Sequence, residues 1–122
     1  MLKVAVFDLD GTLCAVGKAI QPETLAGLRR LRERGVQLAI SSGKPIYSLC
    51  GTARQAGLED LILMGENGAS VQFGVNLPPK DSYWMPVPSH TRAALGDLHR
   101  QIVETFGSRV WMQPTQVEVT PF

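Results

Sequence analysis

Residues 4–13 read Val-Ala-Val-Phe-Asp-Leu-Asp-Gly-Thr-Leu, and this stretch decides the fold. Four apolar residues at its start predict a strand buried on both faces, as in a parallel sheet. Residues i and i+2 of an extended chain point the same way, so Asp8 and Asp10 are expected to leave the carboxyl end of that strand together. Ligands of open α/β sheets bind at this end. Two facing carboxylates repel each other, which favours a hard cation such as Mg²⁺ between them.

The composition is that of an ordinary globular protein. The chain has 122 residues, of which 44% are hydrophobic and 19% charged, with a net charge of +1. Nothing in this balance points to nucleic acid or to a membrane surface, and no apolar run is long enough to span a membrane. Cys14 and Cys50 have no metal or redox spacing, and no signal peptide precedes the first strand. We therefore expect reduced thiols and a cytoplasmic protein.

Apolar runs and amphipathic segments alternate over the first half of the chain. The pattern predicts a helix from Pro22 to about Gly35, a strand over 36–40, a helix over 45–56 and a strand over 61–64. Strand, helix, strand, helix, strand at these spacings predicts two βαβ units with parallel strands and right-handed crossovers.

The second strand runs into Ser41-Ser42-Gly43-Lys44-Pro45. A hydroxyl donates a hydrogen bond, a glycine allows close backbone approach and a lysine adds positive charge, so the segment suits an anion. It is not a P-loop, because Leu38 stands where the first glycine belongs and Pro45 follows the lysine. A plain turn from strand to helix is the alternative.

The second half of the chain has a different pattern. Asn67-Gly68 predicts a hairpin, with residues 70–73 as its second strand. A linker is expected over 77–82, followed by a Pro-broken edge strand over 83–88. Ser89 is predicted to cap a helix over 90–106, and residues 109–112 and 116–120 are predicted strands.

Asp8-Leu9-Asp10-Gly11-Thr12 resembles the first motif of the haloacid-dehalogenase-like (HAD) phosphohydrolases, Asp-x-Asp-Gly-Thr after an N-terminal strand. The end of the second strand resembles their second motif, in which the strand ends in Thr or Ser. In the cofactor-type phosphatases with a type IIB cap, Gly-Arg commonly follows. The resemblance therefore implies phosphate binding by Ser42, Gly43 and Lys44, with Ser41 as the competing hydroxyl if the register is off by one. Asn67-Gly68-Ala69 is similar to a segment that borders the substrate pocket in this group, although a hairpin alone would also explain it.

The resemblance implies an α/β fold: a Rossmann-like HAD core with parallel strands and flanking helices over residues 1–77, then part of an α+β cap over 78–122. It implies a Mg²⁺-dependent phosphatase acting on a small phosphorylated metabolite such as a sugar phosphate. Asp8 would attack phosphorus and form an aspartyl-phosphate, and Asp10 would be the general acid and base. Asp8 would bind the metal through its side chain and Asp10 through its backbone carbonyl.

The sequence also departs from the family pattern. The resemblance covers the N-terminal half of the core and the opening of a cap, so we expect a truncated member. The third-motif Lys and the fourth, acidic motif have no counterpart after Asn67. The alternative function is therefore a catalytically incomplete HAD-like fragment that binds or oligomerises. A half-sheet with an exposed edge would favour a homo-oligomer.

Overall fold

The computed structural model describes residues 2–122, which form one five-stranded sheet and three α-helices. The strands are β1 (Val4–Phe7), β2 (Gln37–Ser41), β3 (Leu61–Gly65), β4 (Ser70–Phe73) and β5 (Ser82–Trp84), and the helices are α1 (Pro22–Glu33), α2 (Ile46–Gln55) and α3 (Ser89–Phe106). The sheet order is β1-β2-β3-β4-β5. β1, β2 and β3 are parallel, whereas β4 and β5 are antiparallel additions. This arrangement confirms the α/β class and the predicted hairpin.

The core lies between one face of the sheet and the two crossover helices. The strands contribute alternate residues such as Leu38, Ile40 and Leu63, which pack with Leu28 of α1 and Leu49 of α2. Leu49 and Leu63 are at most 1% exposed, and full burial of a leucine side chain contributes about 1.5–3 kcal/mol to stability. This packing fixes the carboxyl ends of β1, β2 and β3 beside one another.

The prediction that β1 is buried on both faces is wrong. β1 lies at the edge of the sheet, with β2 on one side and, among the strands of residues 2–122, none on the other. Ala5 and Phe7 pack against the core, but Val4 and Val6 are exposed on the opposite face. An apolar run shows that a strand can be buried on both faces. Actual burial requires neighbours that the run itself does not specify.

The backbone contacts divide the chain into a first unit that ends at Trp84 and a second unit, Met85–Phe122. The second unit contains α3 and the short 3₁₀ turn Gly107–Arg109. No helix in the part of the chain that the structure describes combines the length and apolarity needed to cross a membrane.

Two predictions for the second unit are wrong. Ser89 does not cap α3 but is its first residue, after Pro88, and the cap position makes no side-chain hydrogen bond. Residues 109–112 and 116–120 are not strands; one isolated antiparallel bridge joins Met112 to Pro121. Hydrogen bonds of 2.9 Å join the backbone amides and carbonyls of Trp111 and Phe122. Because proline has no N–H, Pro114 and Pro121 limit any longer ladder.

Candidate active site

The acidic motif forms a tight loop directly after β1. Leu9 is buried, and its carbonyl accepts hydrogen bonds from the backbone N–H groups of Leu13 and Cys14 at 3.0 and 3.1 Å. Gly11 takes a positive φ of 81°, which allows the loop to turn. The Leu9 N–H donates to Oδ1 of Asp8 at 2.7 Å. Burial of Leu9 therefore anchors the loop, while Asp8 stays exposed and Asp10 is partly buried.

The proposed phosphate-binding loop lies at the end of the neighbouring strand. Phe7 is in register with Ile40, so the acidic loop and the end of β2 leave the same edge of the sheet. Ser41 is the last residue of β2 and pairs with Met64 of β3. Ser42 is the first residue of the loop; it is buried, and its Oγ accepts a hydrogen bond from the Lys44 N–H at 3.3 Å.

An ion pair joins the two loops. The Nζ of Lys44 lies 2.5 Å from Oδ2 of Asp10, and the two side chains are 32% and 22% exposed. The Gly17 N–H, from the connection that follows the acidic motif, donates to Oδ1 of Asp10 at 3.4 Å. Lys44 therefore meets the acidic motif directly, and Asp8, Asp10 and Lys44 together carry a formal charge of −1.

The turn after β3 is hydrogen-bonded to the loop that follows β2. The N–H groups of Glu66 and Asn67 donate to the carbonyls of Lys44 and Ser42 at 3.0 and 3.1 Å. Both turn residues have positive φ, 50° and 55°. Positive φ is uncommon for residues other than glycine and costs on the order of 1–3 kcal/mol at each position. The amide of Asn67 lies beside Gly43, since a Cβ added at Gly43 would be 3.5 Å from its Oδ1 and Nδ2.

Each site residue predicted from the sequence lies at the carboxyl edge of the parallel strands. Contacts connect Asp10, Ser42, Gly43, Lys44 and Asn67, and Asp8 is held by its neighbour Leu9. Two contributors were not found from the sequence. Glu66 is 2% exposed within the turn, and Gly17 bonds Asp10 from a connection that reads only as a loop. Nothing in the sequence indicates that a charged residue before Asn-Gly will be buried.

Gly65, the last residue of β3, lies against the backbones of the loop after β2 and of the first residue of α2. A Cβ there would lie 2.8 Å from the Ile46 nitrogen, 2.9 Å from the Lys44 carbonyl oxygen and 2.9 Å from Ser70 Oγ. Two of these neighbours are backbone atoms that cannot move aside without shifting the loop. The absence of a side chain at Gly65 therefore sets the distance between the turn and the loop.

We expect Gly65→Ala to lower the free energy of unfolding by about 1–3 kcal/mol, the usual range for an overpacked site. The measurement is urea unfolding followed by circular dichroism. Gly51→Ala is the matched control, because a Cβ at Gly51 in α2 meets nothing within 4 Å. It should raise stability by up to about 1 kcal/mol through helix propensity. Equal stability of the two variants would contradict the close packing at Gly65.

Cys14 lies beneath the acidic loop, with its Sγ 3.6 Å from the Leu9 carbonyl oxygen. Burial raises the pKa of this thiol, and the nearby Asp10 carboxylate raises it further. The reactive form of cysteine is the thiolate, which both effects disfavour. Cys14 is therefore a packing residue of the loop and not a nucleophile.

The carboxylates at this edge are the class of ligand that Mg²⁺ prefers. Mg²⁺ sites in phosphoryl-transfer proteins commonly use one or two carboxylates, with substrate phosphate and water completing the coordination. Asp8 is exposed at the end of β1, and Asp10 follows it two residues later. Within residues 2–122 no third His, Cys, Asp or Glu joins them in a metal-binding group. The two aspartates are therefore chemically suited to hold a Mg²⁺ ion, which would need its other ligands from substrate and water.

A parallel βαβ sheet with a carboxylate pair and a hydroxyl–Gly–Lys loop at its carboxyl edge defines an α/β protein of the kind that binds its ligand at that edge. The model of the haloacid dehalogenase-like hydrolase family matches residues 5–80, which include all of these features. The chain therefore belongs to the haloacid dehalogenase-like hydrolases.

Two of the curated relatives that the chain matches are phosphatases. The chain is 32% identical over 71 residues to the HMP-PP phosphatase of Klebsiella pneumoniae (strain 342), a match that covers 58% of this chain and 26% of that protein. The HMP-PP phosphatase of Yersinia pestis (strain Pestoides F) is 29% identical over 103 residues, which is 78% of this chain and 37% of that protein. The chain thus spans between a quarter and two fifths of the length of these relatives.

Solved structures show the same fold. A haloacid dehalogenase-like hydrolase from Bacteroides thetaiotaomicron matches with a TM-score of 0.66 and 26% identity, over 83% of this chain and 38% of that one. A haloacid dehalogenase-like hydrolase from B. subtilis matches 94% of this chain and 40% of that one, with a TM-score of 0.65 and 19% identity. The second match supports the fold alone.

Proposed function

We propose that this chain carries the nucleophile and part of the phosphate site of a Mg²⁺-dependent phosphatase that cleaves a small phosphomonoester. The observation that carries the proposal is the meeting of the acidic motif with the Ser42–Lys44 loop through the Lys44–Asp10 ion pair. Phosphoryl transfer requires several groups that face one region. They are here a nucleophilic carboxylate (Asp8), an acid–base carboxylate (Asp10), a hydroxyl (Ser42) and an ammonium (Lys44). The phosphatase relatives support this choice over other chemistries of the family.

In the first step Asp8 attacks the phosphorus atom of the substrate. A bond forms between the Asp8 carboxylate oxygen and phosphorus, and the bond from phosphorus to the leaving oxygen breaks. Asp10 gives a proton to that oxygen, so the product leaves as a neutral alcohol. The result is an aspartyl-phosphate on Asp8. Asp8 suits this role because it is the more exposed of the two aspartates.

In the second step a water molecule attacks the phosphorus atom of the aspartyl-phosphate. Asp10, now a carboxylate, takes the proton from the water, and the bond between phosphorus and Asp8 breaks to release inorganic phosphate. Asp8 returns as a carboxylate and Asp10 regains its proton. The Lys44 ammonium, which pairs with Asp10 in the structure, moves to the phosphoryl oxygens when substrate binds and leaves Asp10 to exchange protons.

The phosphoryl group needs donors that compensate its charge. Ser42 Oγ accepts from the Lys44 N–H and keeps its own O–H to donate to a phosphoryl oxygen, and the Lys44 ammonium adds a positive charge. Asn67, held beside Gly43, borders the same site. When bound at Asp8 and the Asp10 backbone carbonyl, Mg²⁺ would supply Lewis-acid stabilisation of charge on the transferring group.

We further propose that residues 1–77 are the N-terminal half of the core and that residues 78–122 open a cap. Selection among small phosphorylated metabolites would then depend on the second unit. A cytoplasmic location suits such substrates and two reduced cysteines, Cys14 and Cys50, both of which are buried and free.

A catalytically incomplete fragment is the second candidate. The small number of metal ligands favours this candidate. Two aspartates without a third acidic partner in the described residues would bind a metal ion weakly. Such a chain would bind phosphate or a partner without turnover. Phosphate binding without phosphate release would support this candidate.

The test of the proposed function is release of inorganic phosphate from an aryl phosphate by the purified chain, with Mg²⁺ and with an excess of chelator. We expect release that depends on Mg²⁺. Equal release in chelator, or none under either condition with a folded chain, would contradict the proposal.

A further inference from the structure

Two neighbouring residues in the turn after β3 have left-handed backbone angles. Glu66 has a φ of 50° and Asn67 a φ of 55°, and among residues 2–122 they are the only residues other than glycine with a positive φ. This region is unfavourable for most side chains, although asparagine tolerates it better than most. Backbone strain persists where surrounding contacts hold it, and it is concentrated at functional sites. The contacts of the two residues therefore indicate what the turn does.

The turn is bonded to the loop after β2 in an irregular way. The Ser42 N–H donates to the Met64 carbonyl at 3.0 Å and extends the parallel ladder of β2 and β3 by one bond. A regular ladder would continue with a bond from the Glu66 N–H to the Ser42 carbonyl. Instead, the Ser42 carbonyl accepts from the Asn67 N–H at 3.1 Å, and the Glu66 N–H donates to the Lys44 carbonyl at 3.0 Å. The left-handed angles thus direct two N–H groups onto the loop.

These bonds set the orientation of the peptide group between Ser42 and Gly43. The carbonyl and the N–H of a trans peptide point in opposite directions. Because the Ser42 carbonyl points to the turn after β3, the Gly43 N–H points to the opposite side. β2 lies between β3 and β1 in the sheet, so the opposite side is that of β1 and the acidic loop that follows it.

We propose that Asn67 is a positioning residue of the phosphate site, and that its left-handed backbone rather than its side chain performs this role. By holding the Ser42 carbonyl, the Asn67 N–H keeps the Gly43 N–H directed at the phosphoryl oxygens that Ser42 and Lys44 bind. Donors held in fixed positions stabilise charge without having to reorganise. The inference rests on the function proposed above, because it concerns the phosphate bound at the same loop.

Two substitutions separate the backbone of Asn67 from its side-chain amide, which also lies beside Gly43. Asn67→Gly removes the amide and adopts a positive φ without strain. Asn67→Ala removes the same amide but disfavours a positive φ. Both variants keep the N–H that donates to Ser42. The control is Gly35→Ala, since Gly35 has a φ of 77°, open space around it and a place before the amino end of β2, at the other end of the strand from the loop.

The measurement is a titration of each ¹⁵N-labelled chain with inorganic phosphate in excess Mg²⁺, followed by the amide signals in ¹H–¹⁵N NMR spectra. In the wild type we expect the Gly43 amide signal to shift as phosphate binds. Asn67→Gly should keep both the shift and the affinity. Asn67→Ala should bind phosphate about tenfold more weakly, as expected when a hydrogen bond to a charged group is weakened.

The stability of the variants is measured in parallel by urea unfolding. Gly35→Ala and Asn67→Ala should both unfold at lower urea concentrations than the wild type, because both place alanine at a positive φ. Gly35→Ala should nevertheless bind phosphate as the wild type does. A loss of affinity in Asn67→Ala alone would therefore not be a general consequence of lower stability. If Asn67→Ala did not fold, Asn67→Gly would decide between backbone and side chain by its phosphate affinity.

Four outcomes would overturn the proposal. Equal losses of affinity in Asn67→Gly and Asn67→Ala would assign the role to the amide side chain. Wild-type affinity in Asn67→Ala would show that the left-handed backbone is not needed. A Gly43 amide signal that does not respond while phosphate binds would exclude this N–H as a donor. A wild-type chain that binds no phosphate would contradict the proposed function as well. Normal binding without phosphate release would contradict only the proposed function, because the titration does not depend on turnover.

Discussion

Asp8→Asn is expected to abolish phosphate release, with a loss of at least about a thousandfold, because an amide oxygen carries no negative charge and cannot serve as the nucleophile. The fold should be unaffected. The Asn side-chain oxygen can still accept the Leu9 N–H that now donates to Asp8 Oδ1. The measurement is the initial rate of Mg²⁺-dependent phosphate release by wild type and variant.

Asp60→Asn is the matched control for this substitution. Asp60 lies just before β3, away from the carboxyl edge of the sheet, and makes a 3.1 Å ion pair with Arg32. Exposed pairs of this kind contribute at most about 1 kcal/mol to stability, so activity should stay near wild type. Mg²⁺-dependent release that persists in Asp8→Asn would remove Asp8 from the role of nucleophile.

Lys44→Met is expected to lower kcat/KM by about a hundredfold, the usual cost of losing one electrostatic contact to the transition state. The change removes the ammonium that pairs with Asp10 and that we assign to the phosphoryl oxygens. Methionine keeps most of the side-chain length, so packing against the acidic loop should change little. Steady-state kinetics with an aryl phosphate measures the effect.

Two control variants show whether the effect of Lys44→Met comes from the loss of positive charge at position 44. Lys44→Arg keeps the charge and should lose less than about tenfold, although its planar guanidinium has a different hydrogen-bond geometry. Lys80→Met removes an exposed lysine outside the site and should have no effect. If Lys44→Met retained wild-type kcat/KM, the ammonium would have no part in the reaction.

Local patterns predicted most of the first unit. The apolar runs at 36–40 and 61–64 became β2 and β3, and Pro22 began α1, because a short buried strand and a helix start are encoded by neighbouring residues. Asn67-Gly68 likewise marked the turn between the antiparallel strands β3 and β4. The second unit was predicted less well: residues 116–120 have a strand-like pattern, but Pro114 and Pro121 limit the ladder to one bridge near Met112.

Features that depend on distant neighbours could not be predicted in this way. The exposure of Val6 depends on which elements pack against its face of the sheet, and the sequence of β1 does not specify those elements. The ion pair between Asp10 and Lys44 requires two strand ends to be adjacent, which their separation in sequence does not show. The burial of Glu66 in a left-handed turn depends on hydrogen bonds to the loop after β2.

The most direct test of a covalent mechanism is peptide mass spectrometry of the chain, quenched in acid during turnover of an aryl phosphate with Mg²⁺. We expect one added phosphoryl group on the peptide that contains Asp8, removable by hydroxylamine and absent in Asp8→Asn. Phosphate release with no phosphoryl group on that peptide, or with the group on another residue, would contradict the assignment of Asp8 as the nucleophile.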